Sequence, residues 1–260
     1  MDPTATTRIQ LCGKLVVVLD GRRVEHALPS RQGRLLFAHL AVHRRRPVSR
    51  AALVEALWPG GAPDAADRAL SALLSKLRTA LGPDSIGGRE RPQLLLPVDA
   101  YVDLEAASDR LHEAETAVAL GDWQRAWAPA RAALHTSERG FLTGEDAPWI
   151  DAVRRDLEDI RLRAHDAVAA VALGLGGPEL SAAERSGRAL TEAAPFRESG
   201  YVHLMRALAT QGNVAEALRV HDTLRCLLRD ELGIAPSPAV QDLHRELLGP
   251  ASGDAAASTA

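Results

Sequence analysis

Between residues 68 and 79 the chain places Arg68, Ser71, Ala72, Ser75, Lys76 and Thr79 at helical spacing, opposite a stripe of Leu70, Leu73, Leu74, Leu77 and Leu81. Leucines recurring three and four residues apart define one buried face. Projected at about 100° per residue, the other six side chains share the opposite side. Small residues there let a helix backbone approach a base edge, while Arg and Lys reach guanine or phosphate. Arg78 sits on the flank of the same helix. The chemistry is that of a duplex DNA reader. A surface helix with a few basic residues is common, however, so its meaning depends on what surrounds it.

Two further basic clusters flank this helix. Gly82-Pro83 stops it, and two short strands around a charged turn follow: Ser85-Ile86, the turn Gly87–Pro92, then Gln93–Leu96. Arg89 and Arg91 in that turn suit contact with phosphate or the minor groove. Upstream, Arg44-Arg45-Arg46-Pro47 ends another helix. That run reads equally as a solvated stretch complementing the negative end of a helix dipole and as a phosphate clamp beside the groove.

The elements that must carry these residues are legible. Arg8–Cys12 and Lys14–Leu19 read as short strands, Asp20-Gly21 is a strong hairpin turn, and Arg22–Leu28 returns. Ser30 caps a helix to about Val42, with Leu35, Leu36, His39 and Leu40 inward. Ser49 caps a second, Arg50–Trp58, with Leu53, Val54 and Leu57 inward. Pro59-Gly60-Gly61-Ala62-Pro63 breaks the chain before the third helix, about Asp64–Leu81. Strands, three helices and a closing hairpin follow the order of a winged helix-turn-helix.

Charge divides at the same place. Residues 1–98 carry 15 Lys+Arg against 8 Asp+Glu, net +7, and residues 99–260 carry 16 against 26, net −10. The overall net charge of −3 hides this division. A basic piece joined to an acidic one reads as a nucleic-acid-binding module plus a part that stays off nucleic acid.

Other chemistries find little support. The nine histidines are scattered along the chain, and no metal site is expected. There is no phosphate-cradling glycine motif and no nucleophile elbow, so neither a cofactor nor an enzyme is expected. Asp156, Glu158 and Asp159 lie among arginines as an exposed charged face. Cys12 and Cys226 fall in different halves, which argues against a disulfide framework. No apolar run approaches the ~18 residues of a membrane span, and the first seven residues lack signal-peptide character. The expected location is cytoplasmic, with no membrane partner.

From Val102 the sequence reads as helices: Leu104–Leu120, Asp122–Thr136, Pro148–Leu173, Glu179–Ala194, Arg197–Gln211, Val214–Leu232 and Pro238–Leu248. Gly121-Asp122 and Gly212-Asn213 each sit between two helices with Ala four residues after the Asp or Asn, echoing tetratricopeptide-like hairpins. Trp123, Trp127, Trp149 and Tyr201 read either as hairpin core or as the lining of a ligand groove. Residues 249–260, small and polar, are expected to be a disordered tail. The expected architecture is an α+β winged helix-turn-helix over residues 8–98, followed by an all-α tetratricopeptide-like domain over 99–248.

At this level the chain resembles a known family. Ala56-Leu57-Trp58 and Ser75-Lys76-Leu77-Arg78-Thr79-Ala80-Leu81-Gly82 are similar to the DNA-binding core of OmpR/PhoB-type winged helices, specifically those of the Streptomyces antibiotic regulatory proteins. Glu231-Leu232-Gly233-Ile234-Ala235-Pro236-Ser237-Pro238, with Val240, Leu243 and Leu247-Leu248, is similar to the close of that family's bacterial transcriptional activator domain. The resemblance implies a transcriptional activator that binds direct repeats near promoters as a homodimer and contacts RNA polymerase. Three departures stand out. Pro92-Gln93 replaces the usual Gly-Tyr of the returning hairpin strand, Arg68 and Ala72 replace larger polar residues, and Ala107 replaces an aromatic. An adaptor with a degenerate winged helix is the alternative, to which the altered hairpin gives weight.

Overall fold

A computed structural model describes residues 6–249; the start of the N-terminal tail and residues 250–260 of the expected disordered tail lie outside the described residues. The described residues up to Asp109, with His135–Ile160, form one compact unit. Arg110–Leu134 and the described residues from Arg161 onward form a second.

The first unit opens on β1 (Arg8–Gln10), β2 (Val16–Leu19) and β3 (Arg22–Arg23), paired antiparallel in sequence. Asp20 and Gly21 join β2 to β3 at φ 49° and 76°, the doubly positive pair of a hairpin turn. Helix α1 (Ser30–Val42) is buried along Leu35–Ala41, far more than one stripe, because it runs through the centre of the core. Ser30 Oγ accepts from the Gly33 N–H at 3.4 Å. Helix α2 (Arg50–Leu57) is capped by Ser49, whose side chain accepts from the Ala52 N–H. Helix α3 (Ala66–Leu81) buries Leu70, Leu73, Leu74 and Leu77, with Leu81 half-buried, as the stripe predicts. Strands β4 (Ile86–Gly87) and β5 (Gln93–Leu94) close the hairpin.

The sheet holds a strand that no local pattern announces. β6 (Tyr101–Val102) pairs parallel with β1, giving the order β3-β2-β1-β6. Asp103, the residue after it, is almost fully buried and accepts from the backbone N–H groups of Leu11 and Cys12 at 2.8 and 3.0 Å. Burial raises its pKa above the ordinary carboxylate value against the opposing effect of those donors and of Arg139, which bonds it at 2.9 Å. The segment around Phe141 runs along Leu11–Gly13, and Phe141, Leu142 and Ile150 enter the same core as Ile9 and Phe37. Compactness therefore divides the chain differently from the boundary expected at residues 98/99. Two-residue strands and a single buried carboxylate carry no periodicity for a sequence reading to detect.

Helices α4 (Asp103–Ala119), α5 (Trp123–Ser137) and α6 (Pro148–Leu175) contribute residues to both units. The second unit adds α7 (Leu180–Ala193), α8 (Glu198–Thr210), α9 (Val214–Leu232) and α10 (Pro238–Leu247). The two sequence echoes have matching geometry. The Asp122 and Asn213 N–H groups bond back to Ala117 and Leu208 at 2.9 and 2.8 Å, and Ala126 and Ala217 are fully buried. The aromatics do not share one groove. Trp123 and Trp127 pack among α4, α5 and α6, and Tyr201 packs with Leu224 and Val240. Trp149 instead joins the core of the first unit. At the chain's end, Gly233 terminates α9. The Ser237 N–H then donates to the Glu198 carboxylate at 2.9 and 3.2 Å, which anchors the Ser-Pro start of α10.

Candidate nucleic-acid interface

The leucine stripe fixes which side of α3 faces solvent. Arg68, Ser71, Ala72, Ser75, Lys76 and Thr79 are all exposed on that side, and Arg68, Ala72, Ser75 and Thr79 follow one line along the helix. Thr79 Oγ1 donates to the Ser75 carbonyl and Ser71 Oγ to the Asp67 carbonyl, one turn back in each case. Arg68 and Lys76 engage no ion pair among the described residues. Their charge is available to a ligand without breaking an internal contact.

Arg50, which the sequence reading passed over as the first residue after a cap, braces this surface. Its guanidinium bonds Asp67 Oδ1 at 2.7 Å, the Asp67 carbonyl at 3.0 Å and Ser71 Oγ at 2.7 Å, and reaches the Arg89 carbonyl at 3.5 Å. One side chain thus ties the start of α2 to the start of α3 and to the hairpin turn. Arg78 performs a related task. Its Nε donates to the Ile86 carbonyl at 3.1 Å, which holds β4 against α3 and directs this guanidinium toward the hairpin.

The hairpin is built despite Pro92-Gln93. The Pro92 carbonyl accepts from the Val48 N–H at 2.9 Å, and the Gln93 side chain donates to the Arg44 carbonyl at 2.8 Å. Gln93 therefore anchors the returning strand to the α1–α2 turn. The tip requires Gly88, at φ 71°, because a Cβ there would lie 2.2 Å from the Arg91 carbonyl oxygen. Arg89 and Arg91 are exposed on this turn, and neither forms an ion pair among the described residues.

The arginine run after α1 splits. Arg44 makes a two-pronged bond to Glu105 at 2.7 and 2.9 Å, and Arg45 joins the same carboxylate at 2.9 Å. Only Arg46 is exposed and outside any ion pair among the described residues. Burial tends to raise the Glu105 pKa, but hydrogen bonds from Arg44 and Arg45 outweigh it and hold the carboxyl below its ordinary value. Stability from this cluster is thus present above the unfolded carboxylate pKa of about 4.3 and is lost as pH falls through the lower folded value. The stability difference between wild type and Glu105→Gln is expected to be constant near neutrality and to shrink toward zero below pH ~4. Urea melts of both proteins across that range check it; a difference that grows on acidification contradicts the assignment.

Three comparisons bear on what this surface belongs to. The bacterial transcriptional activator domain model matches residues 102–248. The regulatory protein AfsR of Streptomyces coelicolor is 31% identical over 262 residues, covering 100% of this chain and 26% of AfsR. The regulatory protein DnrI of Streptomyces peucetius is 30% identical over 259 residues, covering 93% of this chain and 92% of DnrI. Among solved structures, Mycobacterium tuberculosis EmbR in complex with a low affinity phosphopeptide superposes with a TM-score of 0.78 at 26% identity, over 94% of this chain and 65% of that one. The chain thus spans about a quarter of AfsR and about two thirds of the EmbR structure.

A mostly helical chain with a small N-terminal sheet is what this chain shares with relatives that are themselves regulatory proteins. The chain belongs to the Streptomyces antibiotic regulatory protein family and carries its bacterial transcriptional activator domain. The described residues include no helix long and apolar enough to cross a membrane.

Proposed function

We propose that the protein is a sequence-specific DNA-binding activator of transcription, with residues 8–98 acting as a winged helix-turn-helix and residues 99–248 as a tetratricopeptide-like interaction domain. In this reading α3 enters the major groove. Arg68, Ser75 and Thr79 lie along base edges, and Lys76, Arg46, Arg89 and Arg91 meet the backbone. Ser71 and Ala72 allow close approach, and Arg50 and Arg78 hold the frame. The observation that carries the reading is the exposed face of α3 with cations unspent on internal ion pairs, flanked by a hairpin that offers two more. Arg44 and Arg45, shared by Glu105, supply less to phosphate than the bare sequence suggests.

Two copies on direct repeats would gain occupancy through effective concentration, with the acidic half contacting RNA polymerase and its charge keeping it off the duplex. The alternative is a tetratricopeptide-like adaptor with a degenerate winged helix; the turn closed by Gly88 and the returning strand anchored by Gln93 favour the DNA-binding reading over it. Phosphate contacts release condensed counterions, so log affinity should fall linearly with log salt at about −0.9 per contact. For the whole chain on duplex DNA a slope of roughly −3 to −6 is expected. Mobility shifts across a salt series test it, and a flat response rejects DNA binding through this basic surface.

A further inference from the structure

A cavity of about 620 Å³ lies in the first unit, between the end of α1, the α1–α2 turn, α2 and the start of α6. That volume falls within the range of small-molecule sites. His39, His43 and Trp149 form an aromatic cluster at its inner side. The His39 ring stands edge-on to His43 and to Trp149, with centroids 4.6 and 4.9 Å apart. Val48, Ala52 and Ala56 supply apolar wall, Glu55 also lines it, and Arg46 and Arg91 bring positive charge.

Two polar atoms here have no hydrogen-bond partner among the described residues. His39 is 8% exposed and its Nδ1 is buried without one, as is the indole Nε1 of Trp149. Leaving buried polar groups unsatisfied is unfavourable, which marks the site as one that a polar ligand atom would complete. Burial, then the neighbouring His43, pushes the His39 pKa down to about 4, so its ring is neutral at pH 7.

We propose that this cavity binds a planar aromatic carboxylic acid, its ring beside Trp149 and His39 and its carboxylate held by Arg46 and Arg91, and that occupancy weakens DNA binding. The ring class follows from the aromatic cluster and apolar wall. The charge follows from two arginines that are free of ion pairs among the described residues. The antagonism rests on the DNA-binding reading above, because it requires Arg46 and Arg91 to serve phosphate when the cavity is empty.

The test uses the full chain with benzoate, 2-naphthoate and 2-anthroate as probes and 2-naphthalenemethanol as the uncharged control, read by calorimetry. At least one carboxylate is expected to bind. Arg46→Ala and Arg91→Ala, both at exposed positions, should each weaken it about tenfold, and the alcohol should bind at least tenfold more weakly. Ala52→Phe, which fills the cavity from α2, should abolish probe binding while leaving DNA affinity within twofold. Saturating probe should lower wild-type affinity for DNA severalfold and have no effect on Ala52→Phe. No binding by any carboxylate, or equal binding by wild type and all three variants, overturns the site. Probe binding that leaves DNA affinity unchanged overturns the antagonism. If wild type binds the probe but no DNA at any salt, the site stands and the DNA-binding reading falls.

Discussion

Cutting the chain after Val98 is expected to abolish cooperative folding of the N-terminal unit, although all of the proposed DNA-contacting residues precede the cut. The truncated piece loses β6, and with it the backbone bond from Tyr101 to the Thr7 carbonyl. It loses Asp103, so the buried N–H groups of Leu11 and Cys12 lose their acceptor. It also loses Val102, Phe141, Leu142, Ile150, Val153 and Leu157 from the core that contains Ile9, Phe37 and Leu70. Each large apolar side chain contributes about 1.5–3 kcal/mol when buried, and the set amounts to on the order of 10 kcal/mol. That is comparable to the whole stability of an ordinary domain, about 5–15 kcal/mol. A thermal melt by circular dichroism should show no cooperative transition for residues 1–98 and a clear one for the full chain. A sigmoidal melt of the fragment within about 5 °C of the full chain would overturn the account. The core of the first unit takes residues from both sides of the point where the charge changes sign. The +7 and −10 segments meet near a point that the shared core crosses.

How the sequence foreshadows this fold depends on the range of each contact. The α3 leucine stripe, the Asp20-Gly21 turn and the Ser49 cap are local, and all three stand as read. The bounds of Val214–Leu232 coincide with α9 because Gly212-Asn213 and Gly233 punctuate both ends. Contacts that span sixty residues or more leave no such mark. In the sequence Asp103 merely precedes the helix expected from Leu104, a place where dipole interaction already accounts for an acidic residue. Its actual partners lie about ninety residues upstream. The Arg44–Arg46 run reads equally as clamp and as solvated end, and what separates its members is Glu105, on a different element. Arg50 is the instructive omission. Its position just after a serine cap hides it, yet its side chain is the bond that fixes α2, α3 and the hairpin turn together. Local spacing predicts which face of a helix is wet, but not which of its charges are already spent.

Removing Arg68 should change what the protein prefers, whereas removing Arg89 should change only how tightly it holds any duplex. Arg68 is the third residue of α3, exposed, and outside any ion pair among the described residues. The first turn of a helix lying in the major groove is the part that reaches base edges, where arginine pairs with guanine O6 and N7. Arg68→Ala is therefore expected to cost roughly 1–3 kcal/mol on the preferred site and far less on random DNA, narrowing the gap between them. Arg89 sits on the hairpin turn, where the phosphate backbone is the accessible partner. Arg89→Ala should lower affinity by the same factor on both DNAs and flatten the salt slope by about 1. Neither change should disturb folding, since neither side chain is buried or holds another element. Arg50→Ala separates framing from contact. It removes the bonds to Asp67, Ser71 and the Arg89 carbonyl, so it should weaken specific binding while leaving the salt slope near that of wild type. The measurement is competition footprinting of the full chain and its three variants on selected and random duplexes at several salt concentrations. If Arg68→Ala and Arg89→Ala lose affinity equally on both duplexes, α3 is not the reading element, and the division of labour between helix and hairpin fails.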